Sequence, residues 1–108
     1  MTTATTLKTL TDDTFTEAVS RGTVLVEFGA DWCGPCRMVE PVLEQIAAEM
    51  PDALTVAKVD LDASPRTARD LRVMSAPTLQ LYKDGVLVAQ LVGAKPKIHL
   101  LAWLEPHL

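Results

Sequence analysis

From Thr23 to Phe28 the chain reads Thr-Val-Leu-Val-Glu-Phe, apolar and β-branched without clean alternation, as in a strand buried on both faces. The period then changes. Met38, Val39, Val42, Leu43, Ile46 and Ala47 recur at helical spacing and predict a helix from Gly34 onward, with Pro41 kinking it from inside and Pro51-Asp52 stopping it. Leu54 to Leu61 again carries apolar side chains on both faces. Two parallel strands joined by a helix of this length predict a right-handed βαβ unit.

Weaker patterns extend the unit at both ends. A short edge strand is expected near Leu7 to Leu10. Thr11 reads as the N-cap of a first helix, with Asp12 and Asp13 at its favourable acidic start and Arg21-Gly22 at its end. Phe15, Ala18 and Val19 form that helix's apolar face. Ser64-Pro65 opens another short helix, Ser64 as N-cap and Pro65 in the first helical position. Thr78 to Lys83, the Asp84-Gly85 turn and Val86 to Val92 predict a β-hairpin. Gly93 interrupts the pattern. Pro96 opens a closing helix in which Ile98, Leu101, Ala102 and Leu104 are expected to face the core, and Pro106 ends it. The order βαβαβαββα predicts an α/β fold, a central five-stranded mixed sheet flanked by four helices. A single domain over residues 1–108 is expected, with 1–6 as a loose lead-in.

Composition narrows the partners more than the fold. At 108 residues and 48% apolar, the chain can build a hydrophobic core without disulfide or metal staples. A net charge of −4 disfavours nonspecific binding to nucleic acid or acidic membranes. No apolar stretch approaches the ~18 residues of a membrane span. Met1 to Thr6 lacks the basic start and apolar segment of a secretory signal, and the arginine of a transit peptide. The expectation is a cytoplasmic monomer that binds neither nucleic acid nor membrane.

The only two cysteines lie in Trp32-Cys33-Gly34-Pro35-Cys36. Residues three apart are neighbours on a helical face, so the sulfurs can come within bonding distance. Gly34 gives the turn latitude, and Pro35 removes a backbone donor that the first helical turn leaves unpaired anyway. Cys33 falls just before or at the helix N-terminus, where free N–H groups and the helix dipole favour a thiolate. Its sulfur is expected to be exposed, which makes it the candidate nucleophile. Cys36, one turn on, is expected to be more buried and to attack second. The pair could instead be inert thiols or zinc ligands. Zinc needs about four ligands, and His99 and His107 do not have the usual histidine spacing.

Two strand positions carry unexpected charge. Glu27, between Val26 and Phe28, is expensive to bury unless paired or neutral, the alternative being escape to the sheet edge. Lys58 is a lone cation in an apolar strand, and otherwise a snorkelling surface lysine. Arg66, Arg69 and Arg72 read as a solvated face, and Trp103 as packing.

Val26 to Arg37 resembles the active-site segment of the thioredoxin family. The likeness continues through Val56-Ala57-Lys58-Val59-Asp60, Ala76-Pro77-Thr78, Tyr82-Lys83-Asp84-Gly85 and Val92-Gly93-Ala94, so it covers nearly the whole chain. Gly-Pro between the cysteines matches thioredoxins, not the Pro-Tyr of glutaredoxins or the Gly-His of disulfide isomerases. The resemblance implies the thioredoxin fold and a dithiol–disulfide oxidoreductase that reduces protein disulfides through a reversible Cys33–Cys36 disulfide. It implies no bound cofactor or metal, and it implies a thioredoxin reductase as partner.

Residue roles follow from the same resemblance. Glu27 stands where the family usually has an aspartate, and would act as general base for Cys36, with Lys58 nearby. Gly34 and Pro35 would tune the redox pair. Trp32, Ala76, Pro77 and Gly93 would form the substrate-docking rim, with Pro77 cis and the Ala76 backbone offered to an extended peptide. Trp32 could instead be core, and Gly93 a strand-end bend. Two departures concern partner preference: Gly29 stands where many members carry tryptophan, and Met74-Ser75-Ala76 replaces a basic or polar residue, glycine and isoleucine. A binding subunit without turnover and an oxidising or isomerising relative are the competing functions.

Overall fold

In the computed structural model the elements follow the expected order: β1 (Lys8–Leu10), α1 (Phe15–Ala18), β2 (Thr23–Gly29), α2 (Gly34–Glu49), β3 (Thr55–Asp60), α3 (Pro65–Asp70), β4 (Thr78–Lys83), β5 (Val86–Val92) and α4 (Lys97–Leu104). A 3₁₀ turn, Glu105–His107, closes the chain. The structure describes residues 7–108, and the lead-in expected over 1–6 lies outside the described residues. The sheet is ordered β1-β3-β2-β4-β5, with β1, β3 and β2 mutually parallel and β4 antiparallel to both β2 and β5.

Strand β2 sits at the centre, and its alternation divides the core into two layers. Val24, Val26 and Phe28 enter one layer with Phe15 and Val19 from the α1 side, while Leu25 enters the other with Val39, Leu43 and Ile46 of α2 and Leu100 and Leu104 of α4. The register sets Phe28 opposite Thr78 and Thr78 opposite Val92. The C-terminal ends of β2 and β5 and the start of β4 therefore share one end of the sheet. That end receives the cysteine turn, Ala76-Pro77 and Gly93.

The hairpin forms as expected. Asp84 and Gly85 both have positive φ, 49° and 86°, the backbone that a tight two-residue turn between twisted strands requires. Asp84 Oδ1 accepts the Gly22 N–H at 2.8 Å, which ties the hairpin to the loop ahead of β2.

Three local expectations are corrected. Thr11 does not cap α1, which begins at Phe15. The Thr14 hydroxyl accepts the Thr11 N–H at 2.8 Å, and residues 11–14 close a turn instead. Asp12 serves a different helix: its carboxylate accepts from the Thr67 N–H at 2.7 Å, the Thr67 hydroxyl at 2.6 Å and the Arg66 N–H at 3.3 Å, at the start of α3. Ser64 holds the N-cap position there, with no side-chain capping bond. The Thr67 hydroxyl is the main reason the Asp12 carboxyl is held below its ordinary range. In α4, Leu100 and Leu104 face the core, while Ile98 is 80% exposed and Ala102 also faces outward. This helix is apolar nearly all round, so the pattern alone does not choose its face. Met38 of α2 is 74% exposed.

Gln80 is a buried polar residue of β4. It accepts from the Tyr82 hydroxyl at 2.6 Å and donates to Gln90 Oε1 at 2.8 Å. Burial pushes the Tyr82 phenol up to about 12, which keeps it a donor. Tyr82 also meets the Phe15 ring edge-on, with centroids 5.6 Å apart. Tyr82→Phe keeps the ring but strips the Gln80 acceptor of its donor, so it should destabilise the fold by about 1–3 kcal/mol in urea unfolding. An unchanged midpoint would show that Gln80 has another donor.

Candidate active site

Cys33 is the N-cap of α2 and Cys36 lies in its first turn. The pair is disulfide-bonded, with Cα atoms 5.3 Å apart. Extended backbone at Cys33 (φ −91°, ψ 104°) lets its Sγ accept the Cys36 N–H at 3.2 Å, so the sulfur takes the place of an N-capping oxygen. Pro35 occupies the first turn as expected, and a side chain at Gly34 would meet nothing within 4 Å. The turn entering the helix is closed by Cys33 N–H to Ala30 C=O at 3.0 Å.

Cys36 is fully buried, as expected. Cys33 is only 4% exposed, which corrects the expectation of an open sulfur. Its side chain turns inward because it bonds Cys36 and caps the helix at once. Cys33 is still the more accessible of the two. Trp32 is 68% exposed, so the core-packing alternative fails for it, and its indole N–H donates to Asp62 Oδ2 at 3.0 Å.

Glu27 points from β2 toward α2, on the same face as Leu25. It is fully buried, so it does not escape to the sheet edge, and neither carboxyl oxygen has a hydrogen-bond partner. Burial pushes its carboxyl from 4.5 up to about 8; the nearby Glu40 carboxylate adds to the rise, and Lys58 opposes it. The carboxyl is therefore neutral through most of the acidic range, which is how the sheet accommodates it. Its location is tied to the second cysteine. A β-carbon built on Gly29 would overlap Glu27 Oε2 and stand 3.1 Å from Cys36 Sγ, so carboxyl and sulfur border one small space.

Lys58 is the parallel register partner of Glu27. Its ammonium is half-buried and pairs with Glu40 Oε1 at 3.5 Å. Glu40 lies one turn beyond Cys36 on α2 and was not singled out in the sequence, although the i, i+4 spacing places it on the Cys36 face. Glu27, Glu40, Lys58, Asp31 and Asp60 line a cleft of about 20 Å³, room for roughly one water.

The remaining rim residues gather at the same end of the sheet. The Ala76-Pro77 bond is cis, Pro77 is buried, and Pro77 C=O accepts the Gly93 N–H at 2.8 Å. Gly93 has φ 99°, so it does serve as a strand-end bend. A mostly apolar groove beside the cysteine helix is lined by Met38, Val39, Val42, Ala94, Lys95 and Pro96. Among the described residues no cluster of three or more metal-ligating side chains occurs, and no helix is long and apolar enough to cross a membrane.

A family model described as thioredoxin matches residues 6–106. The chain is 57% identical over 103 residues to a thioredoxin of Mycolicibacterium smegmatis, an alignment covering 92% of each chain. It is 48% identical to a thioredoxin of Chlamydia muridarum, over 91% of this chain and 95% of that one. With a thioredoxin of Listeria monocytogenes it shares 49% identity, over 87% and 91%.

The orphaned carboxyl of Glu27 makes stability depend on pH. In the unfolded chain it ionises above about 4.5, while the native chain holds its proton until about 8. Its contribution is therefore complete below about pH 4.5 and is lost as the pH rises through about 8. Glu27→Gln should flatten this decline and leave the variant the more stable protein at alkaline pH, by several kcal/mol. Urea unfolding of both proteins from about pH 4 to 9 checks this, and parallel pH profiles would contradict a buried, ionising Glu27.

Proposed function

The chain belongs to the thioredoxin family, and on that premise we propose how its own residues divide the work of reducing a protein disulfide. The reaction is thiol–disulfide exchange, and the Cys33–Cys36 bond is the oxidised state of the couple. Cys33 is the attacking sulfur. The observation that carries this assignment is its place at the N-cap of α2, where its sulfur already accepts a backbone N–H. A thiolate there meets the same N–H and the positive end of the helix.

In the reduced protein Cys33 attacks the substrate disulfide, forms a mixed disulfide and displaces the first substrate thiolate. Cys36 then gives its proton to Glu27 and attacks Cys33 Sγ. The second substrate thiolate leaves and the Cys33–Cys36 bond closes. A carboxyl near 8 is close to the ~8.5 of an ordinary thiol, so the proton passes either way at small cost. In the reverse direction, when a reductase opens the disulfide, protonated Glu27 returns the proton to the leaving Cys36 sulfur. Lys58 and Glu40, at the mouth of the small cleft, link Glu27 to solvent.

Trp32, Ala76, Pro77 and Gly93 hold the substrate. Their common place at one end of the sheet and the exposure of Trp32 support this, and Gly34 and Pro35 set the geometry of the redox turn. The family implies disulfide-containing substrates and a thioredoxin reductase as partners, and the sulfurs themselves store the electrons. We place the protein in the cytoplasm as a monomeric single domain, because one close cysteine pair suits a reducing compartment.

Catalytic amounts of the protein should accelerate reduction of insulin by dithiothreitol; a rate equal to the dithiothreitol blank would overturn the oxidoreductase reading. Cys36→Ser should accumulate a covalent complex through Cys33, and mass spectrometry of the trapped species would expose a reversed order. Glu27→Gln should slow resolution on the order of 10²-fold while leaving the first attack nearly unchanged. Equal slowing of both steps would remove Glu27 from the proton path.

A further inference from the structure

Gly29 ends β2 in ordinary strand backbone, with no left-handed φ that would call for glycine. Space calls for it instead. A β-carbon there would overlap Glu27 Oε2 outright, and would crowd Glu27 Cδ at 3.2 Å and Cys36 Sγ at 3.1 Å. Residues 27 and 29 lie two apart on one strand, so their side chains share the face that looks onto α2. The end of the Glu27 side chain thus fills the volume that a side chain at position 29 would take. Through that volume the carboxyl comes within one water's span of the second sulfur.

We propose that Gly29 is a positioning residue for the resolving step: by carrying no side chain, it lets the Glu27 carboxyl lie beside Cys36 Sγ. The proposal rests on the general-base role of Glu27 given above. During resolution the proton of Cys36 moves to Glu27, the Cys36 sulfur bonds Cys33, and the Cys33–substrate bond breaks to release a thiolate. No outside oxidant or reductant enters this step. A methyl group at position 29 turns the carboxyl out of the shared space and toward the cleft. There it meets Lys58 of β3 and solvent, with Glu40 of α2, Asp60 of β3 and Asp31 of the loop between β2 and α2 as the other charges. Water reaches the carboxylate in that position and relieves the burial that is the main cause of its raised proton affinity, and the carboxylate is worse placed to take a proton from sulfur.

A two-by-two set of proteins tests this: the natural chain, Gly29→Ala, Glu27→Asp and the double variant. Glu27→Asp shortens the side chain by one methylene and withdraws it from the disputed volume. A chromogenic aryl disulfide separates the steps, since attack by Cys33 releases one coloured thiolate and resolution by Cys36 releases the second. Gly29→Ala should leave the first release unchanged and slow the second on the order of 10²-fold. In the Glu27→Asp background the same alanine should cost much less. Equal loss in both backgrounds would assign the effect to crowding of Cys36 and overturn the proposal, as would an unchanged second release.

Titration of the Glu27 carboxyl carbon by NMR reads the displacement without turnover, and its midpoint should fall in Gly29→Ala. An unmoved midpoint would also overturn the proposal. If the natural protein gives no first release, the functional reading fails, and the titration still decides whether Gly29 positions the carboxyl. If Gly29→Ala alone does not fold, recovery of folding in the double variant supports the proposal, and continued failure overturns it.

Discussion

The structure depends on a central strand that is buried on both faces and ends at the reactive turn. Strand β2 supplies Val24, Val26 and Phe28 to one layer of the core and Leu25 to the other. Continuing the second set two residues at a time reaches Glu27 and then Gly29. A strand that must fill both layers cannot rotate, so the direction of Glu27 is fixed by the packing of its neighbours. The same packing seats α2 on that face and brings Cys36 onto the carboxyl. Burial therefore orients the Glu27 carboxyl and raises its affinity for a proton in a single act.

Much of this was readable along the chain, for definite reasons. The hairpin was legible because Asp84-Gly85 is local chemistry, in which two positive φ angles suit those two residues. Strand β2 and helix α2 were legible because their apolar periods are strong and opposed. Glu27 declared itself by its apolar flanks. Other features were decided by groups distant in sequence. Thr11 had the composition of a cap, but Thr14 and Asp12 redirected that segment. Ile98 and Ala102 looked like core residues because α4 offers apolar side chains on almost every side. Cys33 was expected to be open, and its bond to Cys36 together with its capping role turned it inward. Lys58 lies beside Glu27 in the register, but its ammonium pairs with Glu40, a residue the sequence marked only by its helical spacing from Cys36. Gly29 was recognised as a departure from the family pattern, but its meaning depends on the contacts of a side chain that is not there.

The site is also assembled from segments with different degrees of constraint. The sulfurs are held by a helix start, Glu27 by the sheet interior, and Pro77 and Gly93 by a backbone bond between two strand ends. Trp32 is held differently, by one indole bond to Asp62 on the loop after β3, with most of its ring in solvent. The sulfurs, Glu27 and the Pro77–Gly93 part of the proposed docking rim are thus held by packing or backbone, and Trp32 is the loosely held member of that rim.

Helix α3 has six residues, too few to persist alone in water. Its leading N–H groups are received by Asp12, a residue 55 positions earlier in the chain. The helix thus belongs to the assembled molecule and not to the segment that encodes it. If the backbone were cut between α2 and β3, the C-terminal piece would carry the helical residues and the N-terminal piece their cap. Only reassociation of the two fragments would restore the turn.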